Sequence, residues 1–307
     1  MNAAGEARPQ STRASILIPF GIVTLVWSST WIVIRDQITS VPPSWSVTYR
    51  FTAASIAMLL YALAKGERLR PDARQLGFAF LVGLGQFCVN FNFVYRAEAY
   101  IASGLVAVVF ALMLVPNALL ARIFLGQRLG RQLLLGSAIA IAGISLLFVH
   151  EARVDTHGPA QVLAGLGFVG LAILGASAGN VLQATKTARA YPLISTLAWS
   201  MVIGTGLDAL VAWTLTGPPV MEWRAAYIGG ILYLGLIGSA LTFPLYYAVI
   251  RVIGPAKAAY SNVLVPVLAM LISTVFEGYR WSTLSAAGGL LALVGLVIAL
   301  TARRPNR

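Results

Sequence analysis

Residues 77–101, GFAFLVGLGQFCVNFNFVYRAEAYI, and residues 229–253, GGILYLGLIGSALTFPLYYAVIRVI, lie one constant shift of 152 apart. In that register Gly77 pairs with Gly229, Gly83 with Gly235, Phe91 with Phe243, Tyr95 with Tyr247 and Ile101 with Ile253, without a gap. The register carries on through Phe124 and Phe276, Gly126 and Gly278, Arg128 and Arg280, Gly136 and Gly288, and Gly143 and Gly295. Two apolar sequences always share some Leu and Ala, but chance glycine matches do not hold one frame from 77 to 143. The chain therefore reads as an internal duplication.

The surroundings of these segments set the class. Of 307 residues, 58% are hydrophobic and 10% charged, against about 25% charged in soluble domains. Such a chain cannot cover its own surface with polar groups in water. A helix needs about 20 apolar residues to cross about 30 Å of hydrocarbon. Ten such runs occur, near 16–34, 45–64, 76–95, 100–123, 131–149, 160–182, 194–216, 226–248, 255–276 and 283–301. The first lacks a small-residue cleavage site and reads as a retained helix rather than a signal peptide. The fold class is all-α and membrane-spanning, with five-helix halves at 16–149 and 160–301. An odd number of spans per half makes the second copy enter the membrane inverted relative to the first, with a binding site at mid-bilayer where they meet.

Charge distribution supplies the orientation. The net charge of +12 would suggest nucleic acid in a soluble protein. Here the cations sit in short gaps between apolar runs, and no basic helix or aromatic-basic platform exists, so nucleic acid is not an expected partner. With both termini cytoplasmic, 16 of the 22 Lys and Arg fall on the inner side, as the positive-inside rule requires. Arg122 and Arg131 become Thr274 and Thr283 in the other copy. Trp45, Tyr49, Trp213, Trp223, Tyr227, Tyr279 and Trp281 are expected at the outer interface, with Tyr61 and Tyr191 at the inner one.

Several stretches resemble the drug/metabolite transporter superfamily, and within it the ten-helix EamA-type exporters, aromatic amino acid exporters among them. They are LVWSSTWIVIRDQI (25–38), PSWSVTYRFTAASIAMLL (43–60), VPNALLARIFLGQRLGRQLLLGSAIAIAGISLLF (115–148), GPAKAAYSNVLVPVLAML (254–271) and FEGYRWSTLSAAGGLLALVGLVIAL (276–300). The resemblance implies a central cavity lined by helices 1, 3, 4, 6, 8 and 9, with 5 and 10 at the periphery. Gln127 stands where the family often has an acid. Pro116 lies two residues later in the repeat frame than Pro266.

Polar groups inside a membrane are expensive and face a cavity or another helix. Gln86 and Asn90 are four residues apart on one face of helix 3. In helix 8, Thr242 corresponds to Asn90 and shares a face with Tyr246; helix 9 offers Tyr260 and Asn262. Trp27 and Ser28 begin a hydroxyl cluster between two indoles in helix 1, and helix 6 contributes Asn180. These are the candidate substrate contacts, although amides also serve as interhelical glue. Pro116 and Pro266 each free a backbone carbonyl and are candidate hinges, with packed-helix curvature the plainer alternative. Arg50, a turn into helix 2, is expected to snorkel outward in a gate or structural role. Asp208 is a possible proton site in helix 7, with a hydrogen-bonded structural role the favoured reading, and Glu98 is expected to be solvated.

These residues limit the function. No carboxylate is expected in the cavity wall, which disfavours cationic drugs, and anionic sugars would need Lys or Arg at mid-membrane. A neutral or zwitterionic, partly apolar solute remains, with amino acids, aromatic or hydrophobic, the leading class for an inner-membrane secondary exporter. The alternatives are another small neutral metabolite or drug, or a scaffold without transport. One cysteine, Cys88, and two histidines, His150 and His157, both expected in one outer loop, offer no metal site or catalytic constellation, and no phosphate-binding loop is present. Neither cofactor nor enzymatic activity is expected, and a monomer suffices. Proton exchange and facilitated diffusion both stay open.

Overall fold

A computed structural model describes residues 13–127, 130–154, 159–258 and 261–300. Among them every regular element is helical. The principal helices are α1 (Arg13–Gln37), α2 (Pro43–Ala64), α3 (Ala73–Ala97), α4 (Ser103–Leu125), α5 (Arg131–Val154), α6 (Pro159–Gln183), α7 (Leu193–Thr216), α8 (Ala225–Ile253), α9 (Ser261–Phe276) and α10 (Thr283–Leu300). Among the described residues eight helices are long and apolar enough to cross a membrane, and shorter apolar helices occupy Leu264–Phe276 and Thr283–Ala299.

Local chemistry sets the ends. Pro43 opens α2, where its ring pre-sets φ and its missing N–H costs nothing. Asp72 caps α3 by accepting from the Gln75 amide at 2.6 Å. Gly126, with φ +66°, closes α4 in a left-handed conformation that a side chain would strain. Inside α4, Pro116 cannot donate to the Leu112 carbonyl, and the turn just before it, Ala111–Met113, tightens into a 3₁₀ form.

Two widened, π-helical stretches interrupt α3 at Gly83–Val89 and α8 at Tyr233–Leu241. They end one repeat shift apart. Three pairs of counterpart helices pack antiparallel. In α5 and α10, a Cβ on Gly136 would come within 2.5 Å of the Gly295 carbonyl oxygen, and one on Gly143 within 2.6 Å of the Gly288 carbonyl oxygen. The backbones touch there because nothing lies between them. In α4 and α9, Ser103 at the start of one bonds Glu277 just past the end of the other. In α2 and α7, Trp45 packs with Ala212 near one end, and just past the other the Ser195 amide donates to Glu67. Equivalent outward positions match too: Ile123 and Phe124 are 70% and 71% exposed, Val275 and Phe276 75% and 74%, which is tolerable only against lipid or another apolar surface.

Trp45 and Tyr227 are buried, and the Tyr227 hydroxyl bonds Ser46 at 2.9 Å in the packing between α2 and α8. Three expectations need correction. His150 belongs to the end of α5, not a loop, and its Nδ1 is 2.9 Å from the Ser282 hydroxyl. Glu98 is buried in the α3–α4 turn instead of solvated. Arg50 does not reach outward; it is 1% exposed, drawn inside by two phenylalanine faces.

Candidate functional site

A central cavity lies where α1, α3, α4, α6, α8 and α9 converge, with Arg50 of α2 in its wall. Rings dominate: Trp27, Trp31, Phe91, Phe110, Phe243 and Tyr246, joined by Met113, Ile34, Val94 and Val265. Among the described residues the polar groups of the wall are Thr30, Arg50, Gln86, Asn90 and Asn180, with no carboxylate. Its volume is about 70 Å³.

The wall is assembled by small residues and by the widened turns. Gly175 of α6 crosses α3 so closely that a Cβ would sit 2.6 Å from the Gly85 oxygen and 2.9 Å from the Asn90 nitrogen. A Cβ on Gly179 would press on the Gln86 side chain at 2.9 Å. These glycines let α3 approach α6 and bring Gln86, Asn90 and Asn180 to one space. Asn90 follows the π-helical stretch directly. Its Nδ2 donates to the Gln86 carbonyl at 3.2 Å, and the Gln86 Oε1 accepts from the Tyr247 hydroxyl at 3.2 Å. Asn180 Nδ2 points at the Met113 sulfur, 3.5 Å away.

On the opposite wall Trp27 is fixed by its Nε1, which donates to Thr242 Oγ1 at 2.9 Å. Its ring meets Tyr246 edge-on, with centroids 4.8 Å apart, and Phe243 at 5.6 Å. Trp31 meets Phe110 at 5.6 Å. Thr242 itself donates to the Gly238 carbonyl, and Ser28 to the Thr24 carbonyl; both are buried but spend their protons on backbone rather than lining the cavity.

Arg50 donates from Nε to Ser239 Oγ at 3.1 Å, and its guanidinium lies 4.3 Å from the Phe91 ring centre and 5.4 Å from that of Phe51. Its Nη1 has no hydrogen-bond partner. One turn beyond Val94, the Glu98 carboxylate is likewise unbonded through both oxygens. Burial, and after it the Glu277 charge, raise the Glu98 carboxyl well above the usual range; Arg35 and Arg50 oppose this. Glu277 accepts from Ser103 at 2.8 Å and from Ser273.

The remaining candidates lie elsewhere. Asp208 accepts from Asn92 Nδ2 at 2.7 Å; Asn92 Oδ1 accepts from Arg96, which reaches Ser44 at 2.8 Å. That chain braces α7, α3 and α2 away from the cavity. Pro116 is half-buried in α4. Pro266 lines apolar voids among α4, α5, α9 and α10 instead of the central space. Tyr260 and the side chain of Asn262 lie outside the described residues. Sequence reasoning passed over Phe91, Phe110 and Met113, which carry no polar signal, and did not count Trp31, although it sits one turn from Trp27.

The model of the EamA-like transporter family matches residues 15–149 and again 163–301. The chain belongs to the EamA-like transporter family. It is thus a multi-pass membrane protein of a transporter family. Among EamA-like relatives, Protein PagO of Salmonella typhimurium is 25% identical, over 95% of this chain and 94% of its own. The Escherichia coli protein described as an uncharacterized inner membrane transporter, YedA, is 29% identical over 89% and 87%. A Streptantibioticus cattleyicolor protein described as a probable terminal-alkyne amino-acid exporter is 28% identical over 90% of each chain. A solved crystal structure at 19% identity covers 94% of this chain and 97% of its own with a TM-score of 0.68, which establishes likeness of fold alone.

Proposed function

We propose that the protein is an inner-membrane secondary transporter that exports aromatic or hydrophobic amino acids by alternating access. Its ten helices form two inverted repeats, 16–149 and 160–301, with both termini cytoplasmic. The observation that carries the reading is the wall itself: among the described residues, six aromatic rings, three side-chain amides and no carboxylate. Aromatic faces suit an apolar side chain, amides suit polar ends, and the missing acid disfavours simple cations. The amino-acid exporter among the relatives supports the substrate class, and the relative described as an inner membrane transporter supports the location. In this reading Trp27, Gln86, Asn90, Asn180 and Tyr246 touch the solute, Thr242 and Ser28 hold the helices that carry them, and Pro116 and Pro266 let α4 and α9 bend.

The test is flux of labelled phenylalanine and threonine into proteoliposomes, with and without a pH gradient. Accelerated phenylalanine movement is expected, reduced in Trp27→Ala and Asn90→Ala at unchanged folded yield. Flux no faster than in protein-free vesicles overturns the reading.

A further inference from the structure

We propose that Arg50 is a carboxylate anchor, facing an ammonium-receiving side formed by Asn90 and Tyr246, so that the cavity reads both ends of a free α-amino acid. The inference deepens the export reading and rests on it for the ligand class.

Four polar atoms of the cavity wall are buried without a hydrogen-bond partner: Arg50 Nη1, Trp31 Nε1, Asn90 Oδ1 and the Tyr246 hydroxyl. Buried polar groups are normally satisfied, so orphans gathered in one cavity mark the place of an absent ligand. Their chemistry divides in two. Arg50 and Trp31 can only donate, and the guanidinium stays charged under any physiological condition. Asn90 Oδ1 can only accept, because its amide nitrogen is committed to the Gln86 carbonyl and this fixes the orientation of the group. The Tyr246 hydroxyl can accept as well.

A guanidinium enclosed by protein in a membrane needs a counter-charge. Among the described residues no carboxylate lies within ion-pair distance of Arg50. The Tyr95 hydroxyl is a neutral hydrogen-bonding neighbour of the guanidinium, and Glu98 is within electrostatic reach but carries no hydrogen bond to it. A carboxylate in the cavity supplies the missing partner and takes a fork-shaped, charge-assisted pair of bonds. An amine without a carboxylate leaves the cation unpaired and adds another. A carboxylate without an amine leaves Asn90 orphaned. A zwitterion satisfies both sets, and its side chain is left to the rings of Trp27, Phe110 and Phe243.

The experiment separates recognition from transport. Thermal stabilisation of the purified protein is measured with phenylalanine, phenylalaninamide, 3-phenylpropionate and phenethylamine, alongside competition against labelled phenylalanine flux. Phenylalanine is expected to bind about 10- to 100-fold more tightly than its amide, the range of one charge-assisted bond. Arg50→Gln should bring the two within a few-fold, Arg50→Lys should restore part of the gap, and Trp31→Phe should narrow it. Glu98→Gln should keep it. Equal binding of acid and amide by the native protein overturns the anchor, as does an Arg50→Gln protein that keeps the full preference, or stabilisation by none of the four. If Arg50→Gln fails to fold, the native series and Trp31→Phe decide. Carboxylate-selective binding without flux would leave the anchor standing and overturn export.

Discussion

Trp27 Nε1 donates to Thr242 Oγ1 across 2.9 Å and 215 residues of chain. The bond joins the two repeats at the cavity wall, since α1 opens the first and α8 belongs to the second. Thr242→Val keeps the shape and deletes the acceptor. It should cost about 0.5–1.5 kcal/mol, typical of a hydrogen bond between membrane helices, and weaken phenylalanine binding as the indole loses its setting. Melting temperature and ligand-induced stabilisation measure both; an unchanged value of each would show that ring packing and the Gly238 carbonyl, 3.3 Å from Nε1, hold Trp27 without Thr242.

The contact between α5 and α10 leaves no room for a side chain. A Cβ on Gly143 meets the Ala292 nitrogen at 2.4 Å and the Gly288 oxygen at 2.6 Å, all of it backbone. Gly143→Leu should therefore abolish monodisperse folded protein. Gly167→Ala, where nothing lies within 4 Å, should be neutral or stabilise by up to about 1 kcal/mol through helix propensity. Size-exclusion profiles with melting curves compare the two.

Asp208 is tied to Asn92, and through it to Arg96 and Ser44. Asp208→Ala leaves the Asn92 amide without its acceptor in a buried place, which should cost about 1–3 kcal/mol. Asp208→Asn should retain the pH profile of flux. A profile flattened in Asp208→Asn would instead make this carboxyl the proton carrier.

Glu98 links stability to pH. Its folded-state carboxyl titrates well above the ordinary value of 4.5, first because of burial and then because of Glu277. The native state therefore holds a proton that the unfolded state has released, so stability falls as pH rises from about 4.5 through the raised native value. Asp72 has the opposite sign. Its carboxyl is held below the usual range chiefly by the Gln75 amide, so its contribution is present above 3.8 and lost as pH falls below that. Glu98→Gln should flatten the high-pH slope of a melting-temperature series and leave the acid limb in place; an unaltered slope would assign the effect elsewhere.

Eight of the ten expected spans are helices long and apolar enough to cross a membrane, legible because apolar run length is a strong signal; the glycines at 136 and 143 marked where α5 touches its counterpart α10, while Gly83 marks where α3 touches α7. The spacing of Gln86 and Asn90 put both on one side of α3, and both line the cavity. Arg50 and Glu98 were misjudged for one reason. A single charge near a helix end looks solvent-bound in one dimension, and only the neighbours, Phe51 and Phe91 for Arg50 and the α3–α4 turn for Glu98, show that it is enclosed. Phe91, Phe110 and Met113 gave no sign, since an apolar residue facing a cavity is indistinguishable in sequence from one facing lipid.

The widened turns of α3 and α8 end at matching places, Val89 and Leu241. Each looped-out residue rotates the following segment by about 100° relative to an uninterrupted helix, and Asn90 and Thr242 are the first residues past the offset. The same offset thus recurs at corresponding places of the two segments, turning Asn90 into the cavity wall and Thr242 onto the Trp27 indole that closes it.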